Sequence, residues 1–458
     1  MADDVTIDFD DIQGFVVRGF GGLAHAGYLF FKIDDEAAFR TWLRERLSEY
    51  FFTPSTARED VPAPAAALGL SASGLQILAG EGWLPESFPP EFIEGMVEKH
   101  RSRLLGDVGS NSPDKWNWGK EGDGEIDGVL MLFDKDAGAI ETLFDRMADQ
   151  ASGMEETIRL AGSIPADRKE PFGFEDGFSQ PIIDGTSLAK KKKLANDRDY
   201  KLNVVPAGEL ILGYPDGSGE LPRSPAISAA NVPNGLLPPH PSRLEQRDLG
   251  RNGSYLVFRQ LEQDVDAFNE YLAKQSNNGN DPEEIAAKMI GRKRDGTPLI
   301  GGQSAKKGDN RFDYRSDKEG LECPIGAHIR RSNPRSSVRA SSPDEALSVT
   351  NRHRILRRGR VYEGENGERG LIFVCLNASI SRQFEFVQST WCNNPVFNVL
   401  QNEPDPIVGT AYGLQEPVFT IPDRPYRRRL SGLPSWVTVK GGAYIFMPGL
   451  RALHVLAG

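Results

Sequence analysis

The sequence predicts an α+β fold made of two ferredoxin-like (split βαβ) domains with antiparallel sheets and long insertions. The first observation is a β-rich run, Gly27 to Ile33, which is followed by an amphipathic helical pattern. The second is a similar unit in the second half of the chain, beginning at Ser254. The third is one further strand-and-helix unit in each half, about 100 residues beyond the first. Two such units per half are the content of one ferredoxin-like domain.

Each predicted strand is followed by apolar residues that recur at helical spacing. In chain order, the strands and the apolar helix positions behind them are Gly27 to Ile33 with Phe39, Trp42, Leu43 and Leu47; Gly128 to Phe133 with Ile140, Leu143, Phe144 and Met147; Ser254 to Leu261 with Val265, Phe268, Tyr271 and Leu272; and Gly370 to Leu376 with Ile380, Phe384 and Val387. Because this spacing places the side chains on one helix face, each helix is expected to pack against its sheet.

The predicted domain boundary separates an N-terminal domain, residues 1–200, from a C-terminal domain, residues 201–458. Polar segments at Leu188 to Lys201 and Pro215 to Leu249 lie between the two halves. Their composition is typical of linkers and surface loops, and four consecutive lysines in the first segment are interpreted as a solvated face.

Length, charge and hydropathy exclude several classes of protein. The chain has 458 residues, enough for two sizeable cores, and a net charge of −11, which disfavours nucleic-acid binding. No stretch approaches the roughly 20 apolar residues of a membrane span, and the first residues lack the features of a signal peptide. We therefore expect a cytoplasmic monomer or homodimer without nucleic-acid or membrane partners.

The cysteines give no sign of a cross-linked or zinc-binding fold. Cys323, Cys375 and Cys392 are too few and too scattered for a disulfide framework or a zinc site. Each is predicted to be a small buried hydrophobe, which suits a reducing compartment.

One carboxylate is surrounded in sequence by apolar residues, in the run FGFEDGFSQPIIDG from Phe172 to Gly185. Asp176 sits within a Gly-x-x-Asp-Gly turn that three phenylalanines flank. Gly173 and Gly177 allow positive φ and a close approach to a flat ligand. Alone, this pattern is more often an ordinary turn, because Asp and Gly are common turn residues.

Two downstream segments change that interpretation. Residues 321–335 read LECPIGAHIRRSNPR, and residues 351–363 read NRHRILRRGRVYE. Together with FGFEDG they resemble the dye-decolourising peroxidases, a haem enzyme family, and most of all its longer, advanced forms. Further matches across almost the whole chain are DDIQG at Asp10 to Gly14, PAGELILGYPDG at Pro206 to Gly217, NGSYLVFRQLEQDV at Asn252 to Val265, AAKMIGR at Ala286 to Arg292, RQFEFVQSTW at Arg382 to Trp391 and GGAYIFMPG at Gly441 to Gly449.

Of the six histidines, His328 has the setting that best suits a haem ligand. The small residues Gly326 and Ala327 precede it, and arginines able to meet haem propionates follow it. The other histidines lie in loops, at a charged helix end, at the terminus or between two arginines. The resemblance implies that His328 is the axial ligand to the iron of haem b, with one haem per chain.

The resemblance also implies two distal catalytic residues. Asp176 would act as the base that moves the peroxide proton, and Arg357 would stabilise the leaving hydroxide with its fixed charge. Arg354, Arg358 and Arg360 lie so close in sequence that only the family match favours Arg357 over them.

Further haem contacts follow from the same resemblance. The residues expected along the distal face are Gly177, Phe178 and Ser179. Those expected at the haem edge are Asn333, Pro334 and Arg335. Arg335 is expected on a propionate, with Arg330 and Arg331 as competing partners.

A ligand histidine usually donates its second ring N–H to an acceptor, and here the sequence departs from the family pattern. Where many relatives have an aspartate, this chain reads NASIS, with Asn377 and Ser379. The acceptor is then an amide, a hydroxyl, a backbone carbonyl, or a different acid such as Glu385.

Large donors that cannot reach a buried haem would need an electron relay through surface aromatic residues. Tyr362 is the first candidate, although plain packing explains it equally well, and Trp391 is the second, although core packing explains Trp391 better. Trp116 and Trp118 are predicted to be exposed and are further candidates.

These expectations describe a haem peroxidase that reduces hydrogen peroxide and oxidises dyes, phenols and similar aromatic donors. One alternative is a haem-handling protein that releases iron or stores haem without peroxidase turnover. Another is an α+β interaction protein without a cofactor.

Overall fold

Strands from both halves of the chain form the centre of the computed structural model, which describes residues 6–49, 51–55, 61, 63–120, 122, 124–150, 153–195, 197–276, 281–364, 366–414 and 416–458. The strands are β1 (His25–Ile33), β2 (Ala65–Leu70), β3 (Gly128–Asp134), β4 (Met154–Ser163), β5 (Ile182–Ile183), β6 (Val204–Val205), β7 (Ala226–Ser228), β8 (Pro239–His240), β9 (Arg243–Asp248), β10 (Ser254–Gln263), β11 (Leu356–Arg357), β12 (Arg360–Glu363), β13 (Arg369–Asn377), β14 (Val418–Ile421), β15 (Arg428–Ser431) and β16 (Val437–Met447).

Helices surround this centre. They are α1 (Gly14–Arg18), α2 (Glu36–Ser48), α3 (Ala72–Ala79), α4 (Pro90–Glu94), α5 (Lys99–Leu105), α6 (Ala137–Gln150), α7 (Ser187–Ala195), α8 (Asp197–Asn203), α9 (Val265–Ser276), α10 (Pro282–Ile290), α11 (His328–Ser332), α12 (Pro343–Asn351) and α13 (Leu450–Ala457). Two π-helical segments, Ser381–Glu385 and Val387–Cys392, follow β13.

The two halves repeat one antiparallel sheet topology. The first half has the strand order β2-β3-β1-β4, and the second half has the equivalent order β12-β13-β10-β16. Each order is that of a split βαβ unit, so the predicted α+β fold of two ferredoxin-like sheets is confirmed.

The two sheets also join at both edges, which the sequence did not predict. Phe446 of β16 pairs with Leu70 of β2, and Val361 of β12 pairs with Ser163 of β4. Since β10 also pairs with β13, the strands close into a ring within one nine-stranded sheet. Closure satisfies the edge N–H and C=O groups that separate sheets would expose.

The strand-and-helix units form as predicted because their apolar residues alternate between two cores. In β1, Tyr28 and Phe30 point into the interior of the ring, whereas Leu29 and Phe31 face the outer helices. Helix α2 begins at Asp35, whose side chain caps the Ala38 N–H at 3.0 Å. All the apolar helix positions predicted for the four units are buried.

Trp116 and Trp118 are buried, with 1% and 0% of their surface exposed, so the prediction that they are exposed is wrong. Trp118 stacks on Phe30 with ring centroids 4.3 Å apart, and its indole N–H donates to Gln260 at 2.9 Å. The polar neighbours misled the prediction, because Lys115 and Asn117 are exposed while the two indoles that alternate with them are buried.

Three further findings concern the cysteines, the helices and the metal-ligating side chains of the described residues. The three cysteines are buried and free, as predicted. Among the described helices, none combines the length and apolar character that crossing a bilayer requires. Within the same ranges, no cluster of His, Cys, Asp and Glu could hold a metal ion by itself.

Candidate active site

A cavity of about 270 Å³ lies on the outer face of the second sheet, between β10, β13 and β16 on one side and α11 on the other. Six of the residues predicted for the site line it: Asp176, Phe178, Ser179, His328, Asn333 and Arg357. Gly177, Pro334 and Arg335 are not among its lining residues. Most of the remaining wall is apolar, with Leu261, Ile290, Phe373, Phe384 and Ile407 among its members.

His328 begins helix α11 and is held by a buried carboxylate. Its Nδ1 atom lies 3.0 Å from Oδ2 and 3.2 Å from Oδ1 of Asp405, whose side chain is completely buried. The same carboxylate accepts the backbone N–H groups of Ile407 and Val408 at 2.9 and 3.0 Å. With Nδ1 occupied, Nε2 is the ring nitrogen available to an iron.

The two groups shift each other's pKa. Burial by itself lowers the pKa of His328, but the attraction of Asp405 outweighs it and raises that pKa. Burial raises the pKa of Asp405, but the charge and hydrogen bond of His328 outweigh it, and the pKa of Asp405 is lowered. Asp405 therefore stays ionised and makes the imidazole more basic.

The acceptors that the sequence suggested for His328 are engaged elsewhere, so that prediction is corrected. Glu385 binds Arg101 at 3.0 Å and accepts the Tyr444 hydroxyl at 2.8 Å. Asn377 donates to the carbonyl of Cys375, and the Ser379 hydroxyl oxygen accepts the Arg382 N–H. Asp405 is the different acid that was left open. Its only sequence signal is its place between two prolines, which an ordinary turn explains equally well.

Asp176 and Arg357, which line the same cavity, form an ion pair. The Oδ1 atom of Asp176 lies 3.1 Å from Nη2 of Arg357. About half of the Asp176 side chain, 47%, is accessible, and this surface faces the cavity. Burial raises the pKa of Asp176, but Arg357, the Gly177 N–H and the charge of His328 outweigh it, so the pKa is lowered. Asp176 is therefore an ionised carboxylate in a largely apolar cavity.

Two backbone features place this pair. Asp176 lies just after a turn at which Gly173 has φ +89°, and Gly177 after it has φ +95°. Arg357 belongs to β11, where it pairs with Cys375 of β13. Its backbone N–H donates to Oε1 of Gln180, in the loop that carries Asp176, at 2.9 Å.

The neighbouring arginines take other roles. Arg358 donates to the carbonyls of Val16 and Val17 at the end of α1, and Arg360 donates to carbonyls of the following turn, so neither faces the cavity. Arg354 does line the cavity, and its hydrogen bonds to Leu202 and Ser179 are long, 3.5 and 3.4 Å. Burial lowers the pKa of Arg354 to about 9, and the charges of Arg335 and Arg357 contribute.

Arg335 does not reach the cavity in this structure. Its guanidinium donates to the carbonyl of Phe312 at 2.8 Å and to the side chain of Asn310, and it lies over the Phe312 ring. Arg330 and Arg331 are likewise bonded, chiefly to Asp317 and to the carbonyl of Glu403. Backbone carbonyls, side-chain oxygens and an ion pair thus hold the terminal nitrogens of these three cations away from the cavity.

The relay candidates are not surface residues. Tyr362 is 5% exposed and lies in the core inside the ring, where burial raises its pKa to about 12. Trp391 is 6% exposed and packs edge-on against His353 and Phe386, at 5.2 and 5.3 Å. Core packing, which the sequence favoured for Trp391 and left as one of two interpretations for Tyr362, is what the structure has, whereas the role of both residues in electron transfer stays a prediction.

The residues present fit a haem. The cavity offers one nitrogen ligand at His328, apolar walls, and the polar side chains of Asn333, Arg354 and Arg292. Both polar atoms of the buried Asn333 side chain lack a hydrogen-bond partner among the described residues. A flat apolar group with polar substituents at one edge would complete these contacts.

Comparisons with known proteins agree with this geometry. Residues 243–398 match the family model of the Dyp-type peroxidase C-terminal region. The multifunctional dye peroxidase DyP2 of Amycolatopsis sp. is 30% identical over 93% of this chain and 91% of its own length. The dye-decolorizing peroxidase AauDyP1 of Auricularia auricula-judae is 27% identical, over 98% of this chain and 86% of its own.

Among solved structures, a dye-decolorizing peroxidase with an engineered heme pocket superposes with a TM-score of 0.78 at 26% identity. The match covers 99% of this chain and 100% of that one. The chain belongs to the dye-decolourising peroxidases, a family of haem-dependent peroxidases.

Proposed function

We propose that this peroxidase binds one haem b per chain with His328 as the axial ligand, reduces hydrogen peroxide, and oxidises dyes, phenols and similar aromatic donors. The observation that carries the proposal is the Asp176–Arg357 ion pair, which lines the same cavity as His328. Relatives named for dye oxidation at up to 30% identity support the class of donor.

On the proximal side, the chain supplies a basic nitrogen ligand held in one orientation. Asp405 accepts the Nδ1–H of His328, which fixes the tautomer with Nε2 as the free nitrogen. Two backbone N–H groups hold Asp405 itself. Haem, when bound, supplies the iron at which hydrogen peroxide reacts.

On the distal side, the chain supplies a base and a fixed positive charge. Asp176, ionised because Arg357 lowers its pKa, accepts a proton from hydrogen peroxide at a carboxylate oxygen. The guanidinium of Arg357 stabilises the negative charge that develops on the departing peroxide oxygen. The proton held on Asp176 then neutralises that oxygen, which leaves as water. Apolar neighbours such as Phe178 and Phe373 keep competing water away from both groups.

The haem is proposed to lie against the second sheet, in the domain predicted for residues 201–458, and the loop with Asp176 from residues 1–200 to cover it. Of the contacts predicted at the haem edge, Asn333 has the support of its two unpartnered atoms. For Arg335 to reach a propionate, its guanidinium would have to leave the Phe312 carbonyl. Arg354 and Arg292, which already line the cavity, are the better placed cations.

A haem-handling role would use the same cavity but would not need the Asp176–Arg357 pair, so that pair favours peroxidase turnover. The test is the absorbance spectrum of the purified protein, followed by peroxide in the presence of a dye and of a phenol. A Soret band with peroxide-dependent oxidation of both donors is expected. A Soret band without turnover would establish the haem-handling alternative, and protein that binds no added haem would overturn both.

A further inference from the structure

We infer that Glu170 is the positioning residue that holds Asp176 in the cavity, because its carboxylate closes the hairpin that carries Asp176 and ties this hairpin to the second sheet. The inference rests on the proposed role of Asp176 as the base. Glu170 lines the cavity, but its hydrogen bonds are directed to the hairpin and to β10. It acts through Asp176 and is not itself assigned a proton-transfer step.

The backbone of residues 168–176 forms a short hairpin with a defined register. Lys169 pairs with Glu175 in an antiparallel bridge, and the Asp176 N–H donates to the carbonyl of Arg168 at 3.1 Å. At the turn, the Glu170 N–H donates to the carbonyl of Phe174 at 2.9 Å, and the Gly173 N–H to that of Glu170 at 2.7 Å. The register of the hairpin therefore fixes the position of Asp176 relative to the turn.

The Glu170 side chain folds back over this turn and accepts three N–H groups. The backbone N–H of Phe172 donates to Oε2 at 3.0 Å, and that of Phe174 to Oε1 at 2.9 Å. The side-chain amide of Gln263, at the end of β10, donates to Oε2 at 2.7 Å. An ionised carboxylate accepts all three as charge-assisted bonds, protonation weakens these bonds by removing the charge, and an amide would place a donor against a donor.

Neighbouring charges hold other parts of the hairpin. The Arg294 guanidinium binds the carbonyl of Phe172 and lies over the Phe174 ring, and Lys307 pairs with Glu175 at 2.6 Å. Within the described ranges, no lysine or arginine forms an ion pair with Glu170 itself. The charge of Asp176, which has the same sign, acts on it.

In this setting Glu170 is protonated at a higher pH than Asp176. Burial raises the pKa of Glu170 above its ordinary value, the hydrogen bonds from Gln263, Phe174 and Phe172 partly oppose the rise, and the charge of Asp176 adds to it. The pKa of Asp176 is lowered. As the pH falls, Glu170 is protonated first, and the hairpin loses an acceptor while the base is still ionised.

The variant Glu170→Gln keeps the size of the side chain but replaces one acceptor oxygen with a donor. We expect amide hydrogen exchange of residues 170–176 in the holoenzyme to become faster by about tenfold or more, as loss of a charge-assisted hydrogen bond allows. Asp167→Asn is the matched control, since Asp167 is an exposed acid in the same segment and, among the described residues, accepts only the Lys169 N–H. Exchange that is unchanged in Glu170→Gln, or equally raised in the control, would overturn the inference.

A pH profile separates positioning from a merely structural role. The peroxide-dependent step of Glu170→Gln should be slower than the parent's at neutral pH, by about tenfold, and the ratio should approach one as the pH falls through the parent's acid limb. A ratio that is constant with pH would overturn the inference. Failure of the proposed peroxidase function would abolish this readout but would leave the hydrogen-exchange result intact.

A second variant keeps the inference testable if Glu170→Gln does not fold. Gln263→Leu retains Glu170 but removes the donor from β10, so the pKa of Glu170 should rise further. The acid limb of the peroxide-dependent step should then move to higher pH. An acid limb at the parent's position would overturn the inference.

Discussion

The backbone N–H of Arg357 donates a hydrogen bond of 2.9 Å to the side-chain oxygen of Gln180. Gln180 lies in the same loop as Asp176, so the strand that carries the cation is bonded directly to the loop that carries the carboxylate. Because Arg357 is also paired with Cys375 of β13, the second sheet fixes the position of both groups. The backbone thus preorganises the 3.1 Å ion pair between Asp176 and Arg357.

Replacing Arg357 with leucine should slow the peroxide-dependent step at least as much as replacing Asp176 with asparagine. Water can take over part of proton transfer, but no solvent molecule replaces a fixed charge in an apolar cavity. Loss of such a preorganised group typically costs about 100- to 1,000-fold. Stopped-flow absorbance at matched haem content measures the step, and Arg427→Leu, at an exposed arginine, is the control. If Arg357→Leu reacts at the parent's rate, the cation is Arg354, the other arginine of this cluster at the cavity.

Dye and phenol oxidation should favour acidic pH. An aspartate has an ordinary pKa of about 3.9, and Arg357 lowers that of Asp176, so the base stays ionised in mild acid. The measurement is the pH profile of turnover with two donors that have different pKa values. Their acid limbs should coincide, because the protein sets them, whereas their alkaline limbs should differ. An alkaline optimum for every donor would contradict the assignment of Asp176.

The variant Asp405→Asn should shift the reduction potential of the bound haem to a more positive value. An amide accepts the Nδ1–H of His328 more weakly than a carboxylate does, so the imidazole becomes a poorer electron donor. Loss of such a partner typically costs about 10- to 100-fold in metal affinity or activity. Spectroelectrochemistry gives the potential, and Ser379→Ala, which removes one of the acceptors suggested by the sequence, should leave it unchanged.

The variant His328→Ala should fold but should lose tightly bound haem or change its ferric spectrum. His328 is the one histidine among the cavity-lining residues of the described chain. Circular dichroism checks the fold, and the pyridine haemochrome spectrum gives the haem content. His353→Ala is the matched control, since the His353 ring stacks on Phe386 at 4.0 Å and does not line the cavity. Full haem content with the parent's spectrum in His328→Ala would refute the axial assignment.

A pair of glycine variants tests how Phe178 is held at the cavity. Gly296 has φ +84°, and a Cβ there would lie 2.0 Å from the Phe178 ring, whereas Gly219 has φ +83° and open space around it. Gly219→Ala should cost about 1 kcal/mol of the free energy of unfolding, the cost of positive φ in alanine. Gly296→Ala should cost about 1–3 kcal/mol more, because the overlap displaces Phe178. Urea unfolding measures the free energy of unfolding of both variants. Equal losses would show that the Phe178 ring moves aside without an energetic cost.

The sequence by itself determined the elements that depend on local pattern. Short β-rich runs followed by apolar residues at helical spacing located the four strand-and-helix units, because a helix that is buried on one face has a periodic apolar pattern in its sequence. The Gly-x-x-Asp-Gly turn and the setting of His328 were also visible, since small residues beside a polar group are adjacent in sequence. Phe178, Ser179 and Asn333 were found through the family match at these same motifs.

Only the tertiary structure decided contacts between segments that are distant in the chain. Asp405 reaches His328 from a loop without periodicity, and Glu170 meets Gln263 from the other half of the molecule. Closure of the two sheets into a ring covers Trp118, although its neighbours in sequence are polar. The type of a residue does not reveal whether its carboxylate or indole faces water or a distant partner. Desolvation and hydrogen bonding depend on which segments pack together, and that is decided by the tertiary structure.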